Sequence, residues 1–264
     1  MSELSDKYDS LKSTGSRKVR EDTYKVSNLH KSYLKLRRAI GYLGILLPIS
    51  LVLLSLLNRN GCEWILPSIS DYYHTSVGGI FTGILVSIAI FLWYNGESKQ
   101  EKIICRIASG LAIIIAFAPT PINENYIITE SSILDLDFVS GCYIPKPKGI
   151  PLVGGLHFFC AAVFFLLLSY LSGIVFRKDE SPEVDEGKKR RLIYLICSLG
   201  MLLSLILIAV FEFFLVEKFP NSDNWMLPPT FTLETIMLFC FGIAWLVRGE
   251  VTFQNIQSFF EEGN

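Results

Sequence analysis

The chain alternates between apolar runs of about 20 residues, each the length a helix needs to cross a bilayer, and short polar segments. The runs read as spans at 39–57, 74–94, 103–120, 153–176, 192–215 and 230–247. The third stops at Pro119-Thr120-Pro121, where proline removes a helix donor. A polar turn at 95–102 and a charged segment from Arg177 to Arg191 separate other spans, and a loop rich in Asn, Ser, Pro and Gly covers 121–152. This pattern predicts an all-α polytopic bundle of six transmembrane helices. A polar, basic tail fills 1–38, the membrane domain 39–248, and a short tail 249–264. No apolar segment follows the start, so no cleavable signal peptide is expected.

Composition agrees. Hydrophobic residues are 51% and charged residues 19% of the chain, and mean hydropathy is +0.42, too apolar for an ordinary soluble domain. The polar pieces are too short for an ATPase, kinase or dinucleotide-binding domain. A net charge of −1 gives no basic surface for nucleic acid; the expected partners are membrane lipids.

Lys and Arg set the expected orientation. With both termini cytoplasmic, twenty of the 24 fall on the inner side, and Arg59, Lys146, Lys148 and Lys218 lie outside. The expected location is the plasma membrane or a bacterial inner membrane. Trp64, Tyr72, Tyr73 and Trp225 are read as outer interfacial anchors, and Trp93, Tyr94, Tyr194 and Trp245 as inner ones. Lys25, Lys31, Lys35, Arg37 and Arg38 are read as a solvated basic flank, with a membrane-surface helix through Val26, Leu29, Tyr33 and Leu36 as the alternative. Arg106 is expected to snorkel to the inner interface.

Cys105, Cys160, Cys197 and Cys240 lie within spans and are expected to pack as small apolar groups. Cys62 and Cys142 sit in outer loops and are candidates for a disulfide if that side is oxidising. Gly79 and Gly83, and Ala108, Ala112 and Ala116, form small-residue rows that are read as seams between helices of one chain.

Ionisable groups inside spans are costly and point to function. Asp71 and His74 open the second span, His157 lies one turn into the fourth, Glu212 one turn below the outer end of the fifth, and Glu234 one turn into the sixth. All fall within about 10 Å of depth at the outer side, from a rise of about 1.5 Å per residue. If 70–75 is helical, Ser70 and His74 share a face and Asp71 can touch His74, fixing its tautomer. Ser70, Asp71, His74, His157, Glu212 and Glu234 are thus a candidate ligand-binding pocket. His74, His157, Asp71 and Glu234 are a candidate zinc set with room for a water. The alternatives are interface hydrogen bonding for the histidines and helix capping for Asp71. No HExxH, HxxxH, paired CxxC or serine nucleophile elbow occurs.

The run Pro67-Ser-Ile-Ser-Asp-Tyr-Tyr-His-Thr75 resembles the Pro-x-Ile-Ser-Asp signature in the first outer loop of the DRAM-like family of six-span membrane proteins. The chain also resembles a group of small bacterial six-span proteins. They share this motif, a Pro-Thr ending span 3 (Pro119-Thr120), an early His in span 4 (His157), and an early Glu in span 6 (Glu234) with a Gly-x-x-Trp-Leu-x-Lys/Arg-Gly end (Gly242 to Gly249). These families carry no agreed biochemical activity, so the resemblance implies topology rather than chemistry. A more distant likeness is to the CREST membrane hydrolases, which carry Ser-x3-His on an early span, matched by Ser70 and His74; the Cys62-Glu63 pair is similar to the alkaline ceramidases among them. Those proteins have seven spans and a late His-x3-His, and this chain offers only His157.

The leading expectation is a non-enzymatic protein whose outer polar pocket binds a lipid headgroup or small solute, or serves a structural or sensory purpose. A zinc-dependent lipid hydrolase is the alternative. Transport or conduction stands third, because the inner half reads as almost wholly apolar apart from Arg106 and there is no inverted repeat.

Overall fold

A computed structural model describes residues 31–57, 65–118, 120, 151–219 and 226–250. Among these there is no strand, and six long helices form one bundle. They are α1 (Lys31–Leu57), α2 (Gly78–Trp93), α3 (Lys99–Phe117), α4 (Pro151–Tyr170), α5 (Asp185–Val210) and α6 (Pro229–Arg248). The α4 helix continues through a π-helical turn, Leu171–Phe176, to Asp179, and α5 through a similar turn, Phe211–Leu215, to Lys218. Four helices, α1, α4, α5 and α6, are long and apolar enough to cross a membrane, as in a multi-pass membrane protein; α2 is apolar but shorter. The α3 helix carries Lys99, Glu101, Lys102 and Arg106 near its start, and its apolar part begins after them.

Helices adjacent in sequence pack together from α2 to α6. The first helix closes the bundle against α6 where two glycines meet: a Cβ on Gly41 would lie 2.8 Å from the Gly242 carbonyl, and one on Gly242 2.7 Å from the Gly41 carbonyl. Backbones approach this closely in lipid only where side chains are absent. The expected alanine seam is present, since Ala108, Ala112 and Ala116 are fully buried. The expected Gly79–Gly83 seam is not: both glycines face open space. The α4–α5 contact is stitched by serines. Ser169 and Ser198 each donate to the other's carbonyl at 3.0 Å, and Ser172 donates to the Tyr194 carbonyl at 3.0 Å. Cys105, Cys160 and Cys197 are buried free thiols and Cys240 is partly buried. Cys62 and Cys142 lie outside the described residues, as do Trp64 and Trp225.

The end of the bundle that holds Arg37 and Arg248 departs most from expectation. Arg37 belongs to no solvated flank: it sits within α1, is 2% exposed, and pairs with the fully buried Glu101 at 2.8 Å and with Glu97 at 3.0 Å. It also donates to Tyr33 Oη at 3.1 Å and to Asn95 Oδ1 at 3.4 Å. Arg248, on the last turn of α6, reaches Asp179 at 2.5 Å, Glu97 at 3.4 Å and Glu101 at 3.7 Å. The acidic partners are placed by the α2–α3 turn. Gly96 adopts φ +118°, where a Cβ would meet the Lys102 amide at 2.6 Å, so the turn requires glycine. Ser98 caps α3 by accepting the Glu101 amide at 3.1 Å, and Glu101 reaches back to the Glu97 amide at 3.0 Å. Under this network lies an aromatic cluster. Trp245 stands 5.0 Å from Phe176 and 4.9 Å from Phe241, and Tyr194 5.7 Å from Phe176, between ring centroids. Tyr194, Trp245 and also Tyr72 are fully buried, so these three are core residues and not interfacial anchors. Trp93 and Tyr94 are exposed, and exposed Arg106 lies 5.6 Å over the Trp93 ring.

Removing one partner of a buried ion pair leaves the other charge uncompensated, at about 3–5 kcal/mol. Arg37→Met is therefore expected to lower the thermal unfolding midpoint of the detergent-solubilised protein markedly, while Arg106→Met, at an exposed cation, leaves it almost unchanged. Equal midpoints for the two variants would show that the network adds no stability.

Candidate functional site

At the opposite end, the segment before α2 does not continue that helix. Residues Ser70–His74 form a 3₁₀ turn, and α2 starts only at Gly78. A Cβ on Gly78 would collide with the Tyr73 carbonyl, so the chain folds tightly back here. Tyr72 anchors the turn: it is fully buried, lies 6.3 Å from Phe231 of α6, and its hydroxyl accepts the Leu66 amide at 3.4 Å. Burial raises the Tyr72 phenol above its ordinary range, which keeps it neutral.

Glu234 ties this segment to α6. Its carboxylate accepts the Ser68 hydroxyl at 2.8 Å and the Ile69 amide at 2.6 Å. Beside it, the Phe231 amide donates to the Pro67 carbonyl at 2.8 Å. Ser68 is the hub, since its amide donates to Asp71 Oδ2 at 3.1 Å and its hydroxyl lies 2.8 Å from the Ser70 hydroxyl. Glu234 is partly buried and its hydrogen-bond donors here are neutral.

The two histidines form a second group. His74 Nε2 donates to the Thr120 carbonyl at 2.9 Å, and His157 Nδ1 donates to the Ala118 carbonyl at 2.8 Å. A carbonyl only accepts, so these nitrogens carry the protons. Both carbonyls lie just past the end of α3, where backbone acceptors lack helical partners. The imidazoles are 1% and 3% exposed, and they cap α3 from the 3₁₀ turn and from α4.

The six residues singled out in the sequence thus fall into three places. Ser70, Asp71 and Glu234 gather around Ser68; His74 and His157 close the end of α3; Glu212 is exposed and accepts the Thr230 hydroxyl at 2.7 Å at the rim. The zinc set of His74, His157, Asp71 and Glu234 is not assembled. Among the described residues no three His, Cys, Asp or Glu side chains are grouped to hold a metal ion. Sequence reasoning missed Ser68 as the hub and Thr120 as a histidine partner. The signal for both was their place inside the motifs Pro67–Thr75 and Pro119-Thr120.

Comparison with protein-family models, with curated proteins and with solved structures found no match. The resemblances noted above rest on their short motifs.

Leaving a buried carbonyl without its donor costs about 1–3 kcal/mol. His157→Ala is expected to lower the unfolding midpoint by that equivalent, with His157→Gln, which retains an N–H donor, recovering part of it. An unchanged midpoint in His157→Ala would mean that the Ala118 carbonyl needs no side-chain cap.

Proposed function

We propose that the chain is a six-span membrane protein with both termini cytoplasmic, and that it binds rather than transforms its ligand, taking a lipid headgroup or small polar solute at the outer cluster of Ser70, Asp71 and Glu234. The observation that supports this reading most is the setting of Glu234. Its carboxylate is drawn to the Ser68 and Ile69 donors, toward the bundle and away from lipid, with a second carboxylate, Asp71, on the same serine. Two carboxyl groups ordered on neutral donors at headgroup depth present hydrogen-bond acceptors to whatever enters between the 3₁₀ turn and α6. The histidines support the site from behind by holding the end of α3 in place. Topology rests on the Lys and Arg asymmetry, with α2 and α3 as the two shorter crossings.

The test is native mass spectrometry of the full chain released from mild detergent. Wild-type protein is expected to retain a lipid or solute adduct. Asp71→Asn, which keeps an acceptor for the Ser68 amide, is expected to lose most of it while unfolding at nearly the wild-type temperature. An adduct retained equally by Asp71→Asn and Glu234→Gln, or no adduct in wild type across lipid mixtures, would overturn the reading.

A further inference from the structure

The charged segment between α4 and α5 is built into a groove. The chain after Asp179 turns back so closely on α5 that a Cβ on Gly187 would collide with the Ser181 carbonyl. Arg191 fastens the turn by donating to the Glu180 carbonyl at 3.2 Å. Between loop and helix lies an open groove of about 230 Å³, lined by Arg177, Pro182, Lys188, Arg191, Leu192 and Leu195. Three of the six are cations and none is acidic. Two neighbouring carboxylates are engaged elsewhere, Asp179 with Arg248 at 2.5 Å and Glu180 with Arg190 at 3.8 Å, while Glu183 and Glu186 are exposed on the same segment and do not line the groove. Lys188 meets Asp185 at 3.3 Å, but both are well exposed, so that pair is weak and readily exchanged. Arg177 has a different standing. Its Nε is buried and finds no acceptor among the described residues, a costly state for a guanidinium donor.

The groove opens onto the outer face of α5. Leu192, Ile196, Leu199, Leu203 and Ile206, each more than half exposed, follow one another at helical spacing from the groove along the helix. From Leu192 to Ile206 the helix rises about 21 Å, most of one hydrocarbon core. Cations at the head of an apolar track match a molecule with a phosphate at one end and acyl chains behind it. We propose that this groove holds the phosphate of an acidic membrane lipid, with Arg177, Lys188 and Arg191 on the phosphate and the acyl chains along Leu192, Ile196 and Leu199. It lies at the opposite end of the bundle from Glu234, and it stands whether or not the outer cluster binds anything.

The test uses the full chain in mild detergent, with retention of phosphatidylglycerol and phosphatidylcholine of identical acyl chains compared by native mass spectrometry. Phosphatidylglycerol is expected to be retained preferentially. Lys188→Gln, at an exposed side chain that the fold does not need, is expected to cut that retention about fivefold, the usual worth of one cation beside an anionic lipid. Arg177→Gln is expected to cut it further. Lys102→Gln removes one exposed positive charge away from the groove and is expected to leave retention unchanged. Equal losses in Lys102→Gln and Lys188→Gln would show diffuse attraction and overturn the proposal, as would equal retention of the two lipids. Inorganic phosphate at low millimolar concentration is expected not to displace the lipid; full displacement would make the groove a site for free phosphate and overturn the lipid assignment.

Discussion

The architecture hangs on charges that a membrane bundle should avoid. Burying an ion costs several kcal/mol even after relaxation, yet Arg37 and Glu101 are almost wholly enclosed and Arg248 nearly so. The cost is offset because each charge is shared. Glu101 bonds Arg37, approaches Arg248 and accepts the Glu97 amide, so one carboxylate addresses α1, α6 and the α2–α3 turn. Arg248 carries the same tie to Asp179 at the end of α4. Helices in lipid lack a hydrophobic drive toward one another. A many-partner ion cluster supplies a directional one, and it defines which helix ends meet. The close glycine contact of α1 with α6 and the aromatic cluster around Trp245 pack directly beneath it.

The other end solves a different problem. Here α3 ends in orphan carbonyls and α2 is preceded by a folded-back turn. Both are irregular backbone, which a bilayer tolerates only where its polar groups are satisfied. His74, His157 and Glu234 meet that need, two as donors to carbonyls and one as acceptor for an amide and a hydroxyl. The same residue types that read as metal ligands are what backbone repair requires. The assignment is decided by which atoms they face, and the faces are set by the turn Ser70–His74 and the start of α4.

This explains what was and was not legible in the sequence. Helices were legible because apolar runs reflect a property of each segment alone. The alanine row on α3 was legible for the same reason. The ion network was not: Arg37 sits among other basic residues, Glu101 in a polar turn and Arg248 at a helix end, and each alone is indistinguishable from a solvated charge. Only their meeting across separations of 64 and 147 positions marks them. Tyr194 and Trp245 misled for a related reason, since a ring near a helix end serves equally as an interface anchor or as packing beneath an ion cluster. The 3₁₀ turn was missed because Ser70–His74 has helical spacing, and its tighter winding follows from contacts made by Tyr72 and Glu234 outside the local sequence.

The network also shapes the surface around it. Glu97, Glu101 and Asp179 turn toward Arg37 and Arg248, and Glu180 toward Arg190. Four carboxylates are thereby committed to other cations, while Arg177, Lys188 and Arg191 line the groove with no acidic residue among the lining. Arg177, Lys188 and Arg191 stand where the apolar face of α5 begins. The ion network ties the helix ends together, and the groove beside Arg177 carries cations as its only charged lining.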